Sequence, residues 1–191
     1  MQVKPAVLKT TDAGFEARLA ELTAWESVSD ISRQTRVAEI IEAVRSEGDE
    51  ALLRLTRELD ENYVDSASDL VLDAPALEDA FRELSDSLKI ALSTARDRIW
   101  AFHEAQKEAS WRLPEKDDGI LLGQEVRPMS RVGLYVPGGK ATYPSSVLMN
   151  AIPAIIAGVK RIIMINPSFK GKQNPAVLYA AKKCKINEIV F

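Results

Sequence analysis

The sequence predicts an α/β protein in which a helical N-terminal region, residues 1–115, leads into the start of a parallel β-α-β-α-β sheet, residues 116–191. Three observations predict it. Apolar residues recur every three or four positions through the first half, composition turns polar around "LPEKDDG", and short apolar runs then alternate with helical patterns. That order of elements favours parallel strands joined by crossover helices, and the sheet is incomplete where the sequence stops at 191.

The helical half reads as a series of amphipathic segments. Phe15, Leu19 and Leu22 mark one apolar face, and Val37, Ile40, Ile41 and Val44 mark a second that should stop at Gly48. Asp49 is a candidate N-cap for "EALLRLTREL". The longest periodic stretch runs from Ala74 to Ala109, with Leu77, Phe81, Leu84, Leu88, Leu92, Ala95, Ile99 and Phe102 at steps of three and four. It predicts one long helix, which needs a partner surface along its length, so a second subunit is expected.

Pro114 and Gly119 end the helical half, and "ILLGQEVRP" opens a run of short strands. "RVGLYVP" then reads as a strand, "PSSVLMNAIPAIIAG" as a helix kinked at Pro153, "KRIIMIN" as a buried strand, "NPAVLYAAKKC" as a helix and "INEIVF" as a last strand. No repeat or low-complexity tract interrupts this order.

Composition bounds the function. The chain has 191 residues, 46% of them hydrophobic, enough for a folded core, and its net charge of −3 with no long basic block argues against a nucleic-acid partner. No apolar run reaches the roughly 18–20 residues of a membrane span. The first residues lack a basic flank followed by an apolar run, and one cysteine, Cys184, cannot form an internal disulfide, so a cytoplasmic location is expected. A single histidine, His103, with that single cysteine is a poor supply of zinc ligands.

"RVGLYVPGGKATYPSS" is the stretch with chemical potential. It fails the Walker A pattern, because Leu134 and Ala141 stand where Gly and Ser/Thr are needed, and Gly133, Gly138 and Gly139 lack the G-x-G-x-x-G spacing. Pro137 still presets a turn, Gly138 can take positive φ, and Gly139 lets backbone approach a ligand. Ser145 or Ser146 is a candidate cap for the helix that follows. Two readings stay open at this point: an anion cradle at a helix N-terminus, or an ordinary tight βα turn.

The run "RVGLYVPGGKATYPSSVLMNAIPAIIAGVKRIIMINP" resembles the signature region of histidinol dehydrogenases, R-V-G-x-Y-x-P-G-G followed by P-S-x-V-L-M-x-A-x-P-A and A-G-V. "GDEALLRLT" and "FHEAQ" resemble that family too, in the right order, so the likeness extends from about Gln34 to Phe191. It implies an incomplete dinucleotide-binding-like α/β domain with aldehyde-dehydrogenase-like topology, within an intertwined homodimer. It also implies a zinc-dependent, NAD-linked oxidoreductase of histidine biosynthesis that takes L-histidinol through the aldehyde to L-histidine and reduces two NAD.

Residue by residue, the resemblance places an NAD contact on Tyr135, with Pro137, Gly138 and Gly139 shaping the loop beneath it. The family's Glu-His proton-transfer pair and its Gln, His, Asp and His zinc ligands fall beyond the matched region, as does its Gly-Gly-Ala-Gln segment. No catalytic or metal residue is therefore assigned, and this chain alone is expected not to turn over histidinol.

"KATYPS" departs from the usual Ala-Pro-Leu-Pro-Ser, which leaves open a related dehydrogenase acting on another small alcohol such as a sulfonated diol. A naturally short, non-catalytic subunit that binds nucleotide or serves assembly is the remaining alternative. His103 reads as structural or surface, Cys184 as a small core residue, Lys170 and Lys172 as solvated loop residues, and Trp25, Trp100 and Trp111 as core or dimer contacts.

Overall fold

The computed structural model of the chain describes residues 7–23, 31–72, 74–114, 119–138, 142–168 and 170–191. The backbone forms two compact units, Met1–Ser46 and Glu47–Phe191. The composition change at 115/116 therefore falls inside the second unit.

The first unit holds α1 (Phe15–Thr23) and most of α2 (Ile31–Glu47). Both are helices where the periodicity predicts them, and an ion pair between Arg36 and Glu39 spans one turn of α2. Neither helix buries a residue: Leu22, Val37, Ile41 and Val44 stay exposed. Each stretch can bury one face, and among the described residues neither helix does so.

In the second unit, Gly48 at φ 64° turns the chain into α3 (Asp49–Asp60), so glycine rather than Asp49 occupies the N-cap position. Asp49 and Glu50 lie in the first turn instead, where carboxylates favour the helix dipole. A 3-10 turn, Ala67–Leu70, follows, closed by a capping box between Ser66 and Asp69.

The predicted single long helix is two, α4 (Ala74–Glu83) and α5 (Asp86–Ala105). The break has a local cause. Ser85 leaves the helical region at φ −65°, ψ 148°, and its hydroxyl accepts from Leu88 N–H at 3.4 Å, capping α5. The periodicity runs across the break because Leu77, Leu84 and Leu92 are all buried in one core, whereas Leu88 and Phe102 are exposed.

The strands β1 (Trp111–Arg112) and β2 (Gly123–Gln124) pair antiparallel. They are shorter than the sequence suggests, and Trp111, read as a core or dimer contact, is exposed. Trp100 is half-buried against the core, and Trp25 lies outside the described residues.

The α/β part follows the predicted order: β3 (Arg131–Tyr135), α6 (Pro144–Ala157), β4 (Arg161–Ile165), α7 (Pro175–Lys183) and β5 (Glu188–Val190). The sheet runs β3-β4-β5, all parallel, with Tyr135, Ile165 and Val190 in one cross-strand row. Two crossovers running in the same direction place both helices on one face. Accordingly α6 packs against α7, α5 against both, and α4 against α7.

Alternation along the strands decides what is buried. Leu134, Val136, Met164 and Ile189 lie in the core with Val147, Leu148 and Ile152 of α6, while Tyr135 and Ile165 between them are exposed. Each fully buried Leu, Ile or Val side chain contributes about 1.5–3 kcal/mol. The outer edge of β5 is covered by residues 70–72, whose Leu72 N–H donates to Ile189 O at 2.9 Å while Phe191 N–H donates to Leu70 O at 3.0 Å. Among the described residues, no strand pairs with the other edge of β3.

Candidate functional site

The carboxyl ends of β3 and β4 are fastened together by Asn166. Its backbone N–H donates to Val190 O at 2.8 Å, and its buried side-chain Nδ2 donates to Val136 O at 2.9 Å. Since Val136 N–H donates to Ile165 O at 2.8 Å, the three strands end in a joined rim. In open parallel sheets this rim is where ligands bind.

Above it the two strand-end loops touch. A Cβ on Gly138 would lie 1.8 Å from Pro167 O, so only glycine permits the approach. The β4 loop is held on its far side by Asn62, which donates to Ser168 Oγ at 3.4 Å, and by Lys170 N–H, which donates to Asp60 O at 2.9 Å. Burial pushes the Asp60 carboxyl above its ordinary pKa.

These loops line an open cavity of about 250 Å³. Pro137 and Gly138 come from the β3 loop, Asn166 and Pro167 from the β4 loop, and Lys172 and Gln173 from the entry to α7. Asn174 caps α7 by accepting from Ala176 N–H at 2.9 Å, whereas α6 starts at Pro144 with Tyr143 in the N-cap position and no side-chain cap. Ser145 and Ser146, expected as caps, lie within α6, because Pro144 takes the first helical position.

Of the residues the sequence assigns to a ligand, the fold brings Pro137 and Gly138 to this cavity. Tyr135 is 64% exposed at the end of β3 and does not line it, because alternation turns it away from its buried neighbours. Gly139 lies outside the described residues. Lys172 and Lys170 are exposed, as read from the sequence; Lys172 also lines the cavity and Lys170 pairs with Glu61 at 3.2 Å.

Gln173 is the residue that sequence reasoning missed. Its Oε1 and Nε2 are both sealed from solvent without a hydrogen-bond partner. A polar residue between a glycine turn and an Asn-Pro helix start was the available signal, and it is too common in loops to single one out.

Other reactive groups lie elsewhere. Cys184 is buried behind α7, and burial pushes its thiol up to about 11, which suits a core residue rather than a nucleophile. His103 lines a separate depression with Pro128 and Pro153, its ring set edge-on to Phe102 at 5.3 Å. Among the described residues, no three His, Cys, Asp or Glu side chains are grouped to hold a metal ion. No described helix is long and apolar enough to cross a membrane.

Residues 24–191 match the histidinol dehydrogenase family. Curated relatives named histidinol dehydrogenase include those of Psychrobacter arcticus, 47% identical over 182 residues, and Pseudomonas aeruginosa, 48% identical over 174 residues. These alignments cover 95% and 91% of this chain but 42% and 39% of the relatives, so the chain spans about two-fifths of their length. The crystal structure of histidinol dehydrogenase from Elizabethkingia anophelis superposes with a TM-score of 0.74 at 35% identity, over 82% of this chain and 36% of that one. The carboxyl-edge loops lie within the matched residues, and the chain belongs to the histidinol dehydrogenase family.

Proposed function

We propose that this chain supplies part of the NAD-binding region of an enzyme of histidine biosynthesis that oxidises L-histidinol through the aldehyde to L-histidine. The observation that carries the reading is the cavity at the joined strand rim, walled by the Pro137–Gly138 loop and Lys172. Bound NAD would supply the hydride acceptor for the two oxidations.

The residues of this chain bind and orient. Pro137 and Gly138 hold the loop against Pro167, and the Lys172 ammonium neutralises phosphate charge at the cavity. The exposed Tyr135 phenol offers a stacking face and a hydroxyl at the end of β3. Gly139 is assigned to the same loop on family resemblance alone.

The described residues do not fit a zinc site. A cytoplasmic homodimer, implied by the family resemblance, is part of this reading. The departure at Thr142-Tyr143 favours, as a second reading, a family member acting on another small alcohol such as a sulfonated diol.

Calorimetric titration of the full-length polypeptide with NAD tests the nucleotide site, and turnover with L-histidinol against a sulfonated diol tests the substrate. Saturable NAD binding that Tyr135→Ala weakens is expected, while absence of NAD binding refutes the reading. The 191-residue chain alone is expected to show no turnover above a boiled control.

A further inference from the structure

We infer that Gln173 is a ligand-reading residue of the carboxyl-edge cavity, taking a sugar hydroxyl of a bound nucleoside phosphate through its side-chain amide. The inference rests on the nucleotide reading above and names a residue that the signature run does not contain.

The contrast with its neighbours carries the inference. Each other side-chain amide in this wall has structural work: Asn166 Nδ2 donates to Val136 O at 2.9 Å, and Asn174 Oδ1 accepts from Ala176 N–H at 2.9 Å. Gln173 has none. Its donor and its acceptor are both withdrawn from water and both unpaired. Among the described residues, only the Arg96 Nε shares that state, and it belongs to a side chain with another bonded nitrogen, Nη1 on Asp97 at 2.7 Å. A native chain rarely keeps an amide in that condition without a use for it.

The chemistry of the amide selects the ligand group. Phosphate and carboxylate oxygens accept only, and would leave Oε1 without a donor. A hydroxyl donates and accepts, so one sugar hydroxyl or an adjacent pair satisfies both ends of the amide. Lys172, on the same wall, provides the charge for the phosphate next to that sugar. A volume of about 250 Å³ suits a ribose phosphate portion rather than a whole dinucleotide. The amide lies in the cavity wall with both polar atoms closed to water, so on this inference it must turn out of the wall to take a ligand.

Two properties should therefore move in opposite directions. In the full-length polypeptide, Gln173→Met should weaken NAD binding about tenfold by calorimetry. It should also raise the melting temperature of the ligand-free protein by about 2–4 °C, because an unpaired buried amide is replaced by an apolar side chain of similar volume. Gln173→Glu, which keeps the shape but loses the N–H donor and adds a negative charge, should also weaken NAD binding, and inorganic pyrophosphate should bind Gln173→Met as it binds the wild type.

NAD binding by Gln173→Met at wild-type affinity would overturn the inference and leave the nucleotide reading standing, provided Tyr135→Ala still weakens binding. A fall in melting temperature with Gln173→Met overturns the claim that the amide is unpaired, and loss of pyrophosphate binding overturns its assignment to the sugar. Wild-type protein that does not bind NAD refutes the nucleotide reading itself.

Discussion

The side-chain amide of Asn166 donates to the carbonyl oxygen of Val136 at 2.9 Å, and both residues are buried. One residue at the end of β4 thereby holds the end of β3, one residue before the Pro-Gly turn begins. Asn166→Ala leaves that carbonyl without a donor and should cost about 1–3 kcal/mol in urea unfolding. Asn166→Asp should cost more, because a carboxylate oxygen would face a carbonyl oxygen. Wild-type midpoints for both would show that the rim is held by other means.

Gly138→Ala places a methyl group against Pro167 O, where backbone rather than a flexible side chain must move. The expected destabilisation is about 1–3 kcal/mol, together with weaker nucleotide binding. A variant equal to wild type in both melting temperature and NAD affinity would remove the loop contact from the account of the site.

Tyr135 should separate binding from stability. Its side chain is largely exposed, so Tyr135→Ala should change stability by no more than about 0.5 kcal/mol while lowering NAD affinity. Stability lost in proportion to affinity would indicate a packing role instead.

Ser85 caps α5 and divides it from α4. Ser85→Ala should cost about 1 kcal/mol. Ser85→Thr should recover most of it, as read by thermal unfolding, and equal losses in the two variants would count against capping as the cause.

Cys184 sets an alkaline limit. Burial raises its folded-state pKa to about 11 from an ordinary 9.0, so the unfolded chain releases the proton first. Its contribution to stability is intact below about pH 9 and is lost as pH rises towards 11. In Cys184→Ala the stability-against-pH curve should be flatter between those values, even if the variant starts lower from the lost packing. An unchanged slope would mean that another group controls alkaline unfolding.

The sequence by itself determined the order of elements from β3 to β5, the parallel arrangement and the family. Strand alternation at Leu134, Tyr135 and Val136, the Asn174-Pro175 helix start and Gly158 after α6 are local signals, readable because period, cap and turn depend on neighbours in the chain. Local signals also misled. Apolar spacing ran unbroken through Ser85, because two helices sharing one core keep the same face inward. Only the tertiary structure decided the site. Asn166 and Val136 are 30 residues apart, and a Cβ on Gly138 would strike Pro167 O, contacts that exist because parallel pairing sets the two strand ends side by side. Gln173 belongs with them, since an amide is unpaired only relative to everything folded around it, and no window of sequence contains that information.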